Sequence, residues 1–150
     1  QPGPVGVSSR SGGMTSAVAY YLSRAGLGLS TIVHVGGDSI VGSSHPEVME
    51  LFERDPETKA VAMFGEIGTT QEERVADLIE HKKFTKPLVA FIGGKAAKSG
   101  TRFSHAGAIV DGNRGSYESK VRRLREVGVH VVDAVADIPG RVAGLLAGNK

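Results

Sequence analysis

The segment Gly100-Thr101-Arg102-Phe103-Ser104-His105-Ala106-Gly107-Ala108 places one imidazole on a loop flanked by glycines, after the apolar run at 88–92. Of the five histidines, only His105 has this setting. Glycine removes the side chain that would hold the backbone away from a ligand. Such a loop can therefore bring an imidazole and several backbone N–H groups to one phosphoryl group. A neutral imidazole accepts a phosphoryl group best when one ring nitrogen is free and the other donates its N–H to a fixed acceptor. Glu66, in Gly65-Glu66-Ile67-Gly68, is the carboxylate expected to orient it. Ser11-Gly12-Gly13 opens a helical pattern at Met14, and the unpaired N–H groups and positive dipole end of a helix start suit an anion. His105 and Glu66 are thus the expected catalytic pair. Ser11, Gly12, Gly13, Arg10, Arg102 and Gly107 are the expected phosphate-binding set. Plainer readings stand beside these: an ordinary cap for Ser11, a helix-dipole carboxylate for Glu66, and surface charge for Arg10 and Arg102.

Those residues need elements that carry them to one place. Nearly continuous apolar runs at 5–8, 31–35, 60–64, 88–92 and 129–132 read as strands covered on both faces, the condition of a parallel sheet. Helical spacing follows each run: Met14, Val18, Tyr21 and Leu22; Val48, Leu51 and Phe52; Val75, Leu78 and Ile79; Val121 and Leu124; Ile138, Val142, Leu145 and Leu146. Ser44-His45-Pro46-Glu47 and Thr70-Gln71-Glu72-Glu73 both fit a capping box at a helix start. Five βα units in one domain over 1–150 predict a three-layer α/β fold, a doubly wound parallel five-stranded sheet of flavodoxin type, order 2-1-3-4-5. Ligands of such sheets bind beyond the carboxyl ends of the strands. That edge is where the loops carrying Ser11, Glu66 and His105 emerge.

Composition narrows the class. The 150 residues are 40% apolar and contain no cysteine, which excludes disulfides, thiolate chemistry and cysteine-ligated metal. A net charge of +2 is too small to argue for nucleic acid, and no apolar run approaches the roughly 20 residues that span a bilayer. Neither a nucleic acid nor a membrane is an expected partner, and a cytoplasmic location is the expectation. Lys120, Arg122, Arg123 and Arg125 read as a solvated helix face, His34 and His130 as core histidines within strands, and His45 and His81 as markers of helix ends. No histidine pair has metal-ligand spacing, so no metal site is expected. Gly93-Gly94-Lys95-Ala96-Ala97-Lys98-Ser99 looks like a P-loop but has Ala97 where a glycine must precede the lysine. A phospho-receiver is rejected because Ser8, Ser9 and Gly65 stand where it needs acidic residues.

The chain resembles the carboxy-terminal domain of the α subunit of succinyl-CoA synthetase and related nucleotide-forming acyl-CoA synthetases. The resemblance rests on Val7-Ser8-Ser9-Arg10-Ser11-Gly12, Gly36-Gly37-Asp38, Gly65-Glu66-Ile67-Gly68, and Arg102-Phe103-Ser104-His105-Ala106-Gly107-Ala108, and it spans residues 4–146. It implies that His105 is phosphorylated by a nucleoside triphosphate, that Glu66 steadies the imidazole, and that the Ser11 turn opens a helix aimed at the phosphate. It implies a relay of the phosphoryl group to a carboxylic acid substrate and thioester formation with coenzyme A. It further implies that coenzyme A, ATP or GTP, and Mg are bound mainly by a CoA-binding domain and an ATP-grasp β subunit or domain absent from this chain, leaving the isolated domain inactive. A related ATP-citrate-lyase-like domain and a non-catalytic subunit-assembly module are the alternatives. Departures fall at Lys95-Ala96-Ala97 and at Ser39, where the family commonly has Thr-Ala-Pro and proline.

Overall fold

The computed structural model describes residues 1–96 and 115–148. Its strands are β1 (Pro2–Ser9), β2 (Leu29–His34), β3 (Ala60–Glu66), β4 (Leu88–Gly93) and β5 (His130–Val132). Its helices are α1 (Gly12–Arg24), α2 (His45–Arg54), α3 (Gln71–Glu80), α4 (Tyr117–Glu126) and α5 (Ile138–Gly148). The strands form one sheet in the order β2-β1-β3-β4-β5, every pair parallel, as expected of a doubly wound fold.

Two apolar cores flank the sheet, and the two-residue period of β3 feeds both. Ala60, Ala62 and Phe64 pack with Val18 and Leu22 of α1 and with Ile138 and Val142 of α5. Val61 and Met63 pack with Phe52 of α2, Val75 of α3 and Leu124 of α4. Each of the seven residues of β3 is buried, which explains why its run from 60 to 64 is apolar without alternation.

The edge strands depart from that reading. β2 has one strand neighbour, and Thr31, Ile32 and His34 are exposed. His130 opens the short strand β5 and is also exposed. His34 and His130 are therefore surface residues of the two edges, not core histidines, because burial on both faces belongs to the strands inside the sheet.

Helix starts also separate. At α2 the capping box forms, with Ser44 N–H donating to Glu47 Oε2 at 2.7 Å. At α3 it does not: Thr70 makes no side-chain cap bond, and Glu73 instead accepts from Lys120 Nζ at 2.8 Å. A lysine in a neighbouring helix offers that carboxylate a charge-assisted bond, which competes successfully with the local cap.

Candidate functional site

The carboxyl ends of β1 and β3 lie side by side, with Arg10 N–H donating to Phe64 O at 3.0 Å. From β1 the chain turns into α1 through Ser9 and Ser11. Ser9 Oγ donates to Ser11 O at 2.8 Å, and Ser11 Oγ caps the helix by accepting from Met14 N–H at a long 3.5 Å. Gly12 and Gly13 are exposed in this first turn. The imidazole of His34 stands beside them, 3.5 Å from where a Cβ on Gly12 would lie. A helix start with small, open residues is free to receive an anion on its N–H groups.

Arg10 has a different place from the phosphate contact that its loop position implied. It is fully buried, and its guanidinium donates to Glu66 O at 2.9 Å, Ile67 O at 3.3 Å, Gly68 O at 2.9 Å and Gly37 O at 3.3 Å. A planar fork with several donors suits such a cluster of carbonyls. Its work is to hold the Gly65–Gly68 turn and the Gly36–Gly37 turn against β1.

Glu72, on the first turn of α3, completes the turn from below. This fully buried carboxylate accepts from Glu66 N–H at 3.0 Å, from Arg10 at 3.4 Å, and from Lys120 Nζ of α4 at 2.5 Å. Burial alone would push its carboxyl up, but the positive charges of Lys120 and Arg10 outweigh burial and hold it down at about 2. Gly65 explains itself here, since a Cβ would lie 2.7 Å from both Cγ and Oε1 of Glu72. His45 borders the same interior. It is fully buried, its Nδ1 is 2.7 Å from Ser8 Oγ, and its main-chain N–H donates to Gln71 Oε1 at 2.9 Å. Burial lowers its imidazole to about 4, with Arg10 and Lys120 adding to the effect.

Glu66, 3% exposed, is thus delivered to the sheet edge by a turn gripped on both main-chain polar groups. His105, Arg102 and Gly107 lie outside the described residues. The chain on both sides of their segment is described, and both sides meet the Glu66 turn. Before it, Ile67 N–H donates to Gly93 O at 3.1 Å. After it, Gly68 N–H donates to Gly115 O at 2.8 Å. Gly115 has a φ of +72°, and a Cβ there would lie 2.5 Å from Thr69 O, so only glycine fits that approach. Among the described residues, no group of three His, Cys, Asp or Glu is placed to hold a metal. No described helix is long and apolar enough to cross a membrane.

Sequence reasoning brought Ser11, Gly12, Gly13 and Glu66 to one edge, and the structure places them there. It missed Glu72, Lys120 and His45. A usable signal existed for Lys120: Tyr117, Lys120, Leu124 and Val127 recur every three or four residues, so this lysine shares the apolar stripe of α4. For Glu72 and His45 the local sequence carries only cap signatures.

The CoA-ligase family model matches residues 8–130. The chain belongs to the CoA-ligase family. Among relatives in that family, it is 45% identical over 144 residues to the alpha subunit of ADP-forming succinate-CoA ligase from Aquifex aeolicus, covering 96% of this chain and 47% of that protein. It is also 45% identical over 144 residues to SqwL, a subunit of ADP-forming sulfoacetate-CoA ligase from Acholeplasma sp, covering 96% of this chain and 47% of the relative. The CoA-ligase chain thus spans about half the length of these curated relatives. Among solved structures, an ATP citrate lyase from Methanosaeta concilii in complex with (3S)-citryl-CoA superposes with a TM-score of 0.91 at 29% identity, over 100% of this chain and 25% of that one.

Proposed function

We propose that this chain is the phosphohistidine domain of an acid-CoA ligase of succinyl-CoA synthetase type. His105 attacks the terminal phosphorus of a nucleoside triphosphate. An N–P bond forms, the bridging P–O bond breaks, and the nucleoside diphosphate leaves. The phosphoryl group then passes to a carboxylate, releasing the imidazole, and the thiol of coenzyme A displaces phosphate from the acyl phosphate to form the thioester. Glu66 holds the ring N–H, which keeps the attacking nitrogen free and steadies the charge that develops on the ring. The N–H groups at Ser11, Gly12 and Gly13 receive the phosphate, joined by Arg102 and the Gly107 backbone. Arg10 acts behind the turn instead of on the phosphate.

The observation that carries this reading is that both ends of the segment holding His105 are hydrogen-bonded to the turn that presents Glu66. Gly93 and Gly115, on either side of that segment, share the Ile67–Gly68 main chain as an anchor. The nucleotide, its magnesium ion, coenzyme A and the carboxylic acid are assigned mainly to a partner of ATP-grasp type and a CoA-binding domain outside these 150 residues. Activity accordingly belongs to the assembled enzyme.

The test is to incubate the assembled enzyme with nucleotide labelled in its terminal phosphate. Acid-labile label on the wild type and none on His105→Asn is the expected result, and label retained by His105→Asn rejects the assignment. A wild type that stays unlabelled would leave this domain as an assembly module. The close superposition on an ATP citrate lyase favours a second reading, in which the same phosphohistidine serves cleavage of a carbon–carbon bond. Product analysis with citrate and coenzyme A separates the two. The higher identity to the ligase subunits is why the ligase stands first.

A further inference from the structure

Phosphoryl relay by His105 and Glu66 leaves three buried charges without a part. Arg10, Glu72 and Lys120 are all fully buried, and they converge on the main chain of a single turn. Taking charges out of water is costly, and well-packed apolar residues usually stabilise a core as well or better. Stability is therefore a weak reason for such a cluster. Placement is a stronger one.

We propose that Glu72, together with Arg10, is a positioning residue that sets Glu66 for phosphoryl transfer; the inference rests on the relay reading above. Glu72 Oε1 takes the Glu66 N–H at 3.0 Å, while Arg10 takes the Glu66 carbonyl at 2.9 Å. The peptide groups on both sides of the Glu66 Cα are thereby clamped by charged side chains from two other elements, and the carboxylate springs from a fixed point. The other oxygen of Glu72 binds Lys120, whose Nζ also donates to Thr69 O at 3.1 Å. Lys120 sits on the helix that follows Gly115, the residue bonded to Gly68. Glu72 thus stands between the Glu66 turn and the point where the histidine segment rejoins the fold. Its carboxylate ties the orienting group and α4 to one reference. Gly65 is the matching vacancy, because any side chain there would displace Glu72.

The experiment is single-turnover labelling of the assembled enzyme with nucleoside triphosphate labelled in its terminal phosphate, on wild type, Glu72→Gln and Gly65→Ala. The expected rate of label transfer per phosphorylatable site falls roughly 10- to 100-fold, the scale of a misplacement near 1 Å. Nucleotide KM stays within about twofold, since the loss lies in the transferring complex and not in binding. A merely structural role lowers the folded, labelled fraction but leaves the rate constant of that fraction at the wild-type value, and that result overturns the proposal. If Glu72→Gln does not fold, Gly65→Ala, which keeps every charge and presses a Cβ on Glu72 and on Ile92 Cδ1, decides by the same readout. Wild type without label on His105 overturns the relay itself. Normal rates in the variants of a labelled wild type overturn the positioning role alone.

Discussion

Lys120 and Arg122 stand two residues apart on α4, and the helix turns their side chains to opposite sides. The ammonium of Lys120 is fully buried against Glu72 and Glu73, whereas the Arg122 side chain is 72% exposed and reaches Glu126 only at 3.8 Å. Removing Lys120 leaves a buried carboxylate short of a partner. Lys120→Ala is expected to cost about 3 kcal/mol, near the low end for breaking a buried pair, because Arg10 and the Glu66 N–H still serve Glu72. Arg122→Ala is expected to change stability by less than about 0.5 kcal/mol, as exposed pairs do. Urea unfolding of both variants checks the contrast, and equal losses would refute it. The same logic reassigns Arg10: an arginine next to a serine turn reads as an anion ligand, yet the carbonyl cluster of the Glu66 turn has claimed its guanidinium.

Elements differ in how far their own residues define them. α2 begins with a capping box, in which the Ser44 N–H and Oγ both donate to Glu47 Oε2 at 2.7 Å. α3 begins with the same pattern in Thr70 and Glu73, but Lys120 and Ser119 of α4 take Glu73. Ser44→Ala is therefore expected to lose about 1 kcal/mol, the usual worth of an N-cap side chain. Thr70→Ala is expected to lose only a few tenths of a kcal/mol, since no cap bond is there to remove. Denaturant midpoints of the two variants measure this directly. A loss at Thr70 equal to that at Ser44 would mean that the α3 cap forms in solution.

At the scale of the whole molecule, the buried charges couple folding to pH. His45 titrates near 4 when folded, below its ordinary 6.5, because burial disfavours the charged ring. Between those values the unfolded chain binds more protons. Stability is accordingly full above pH 6.5 and falls as pH drops toward 4, by about 3 kcal/mol from this group. Glu72 has the same sign in a lower window: its depressed carboxyl stabilises above about pH 4.5, and that contribution is lost as pH falls toward 2. Unfolding free energies at pH 7 and pH 4.5 should show a smaller acid loss in His45→Asn than in wild type, and identical losses would reject a buried neutral imidazole. Much of this protein was legible from its residues. Apolar runs and helical periodicity specify five βα units, because periodicity is a property of neighbours along the chain; right-handed crossovers in a doubly wound sheet then give the strand order and the edge at which Ser11 and Glu66 emerge. What only the tertiary structure decided is which charges go inside. Glu72, Lys120 and His45 come from three helices and Arg10 from the turn after β1, and whether a charge is solvated, paired or buried depends mostly on groups that approach from 26 to 62 residues away, the Glu66 N–H six residues from Glu72 being the local exception. Local sequence holds no record of those distances, since desolvation and Coulomb attraction act through space and not along the chain.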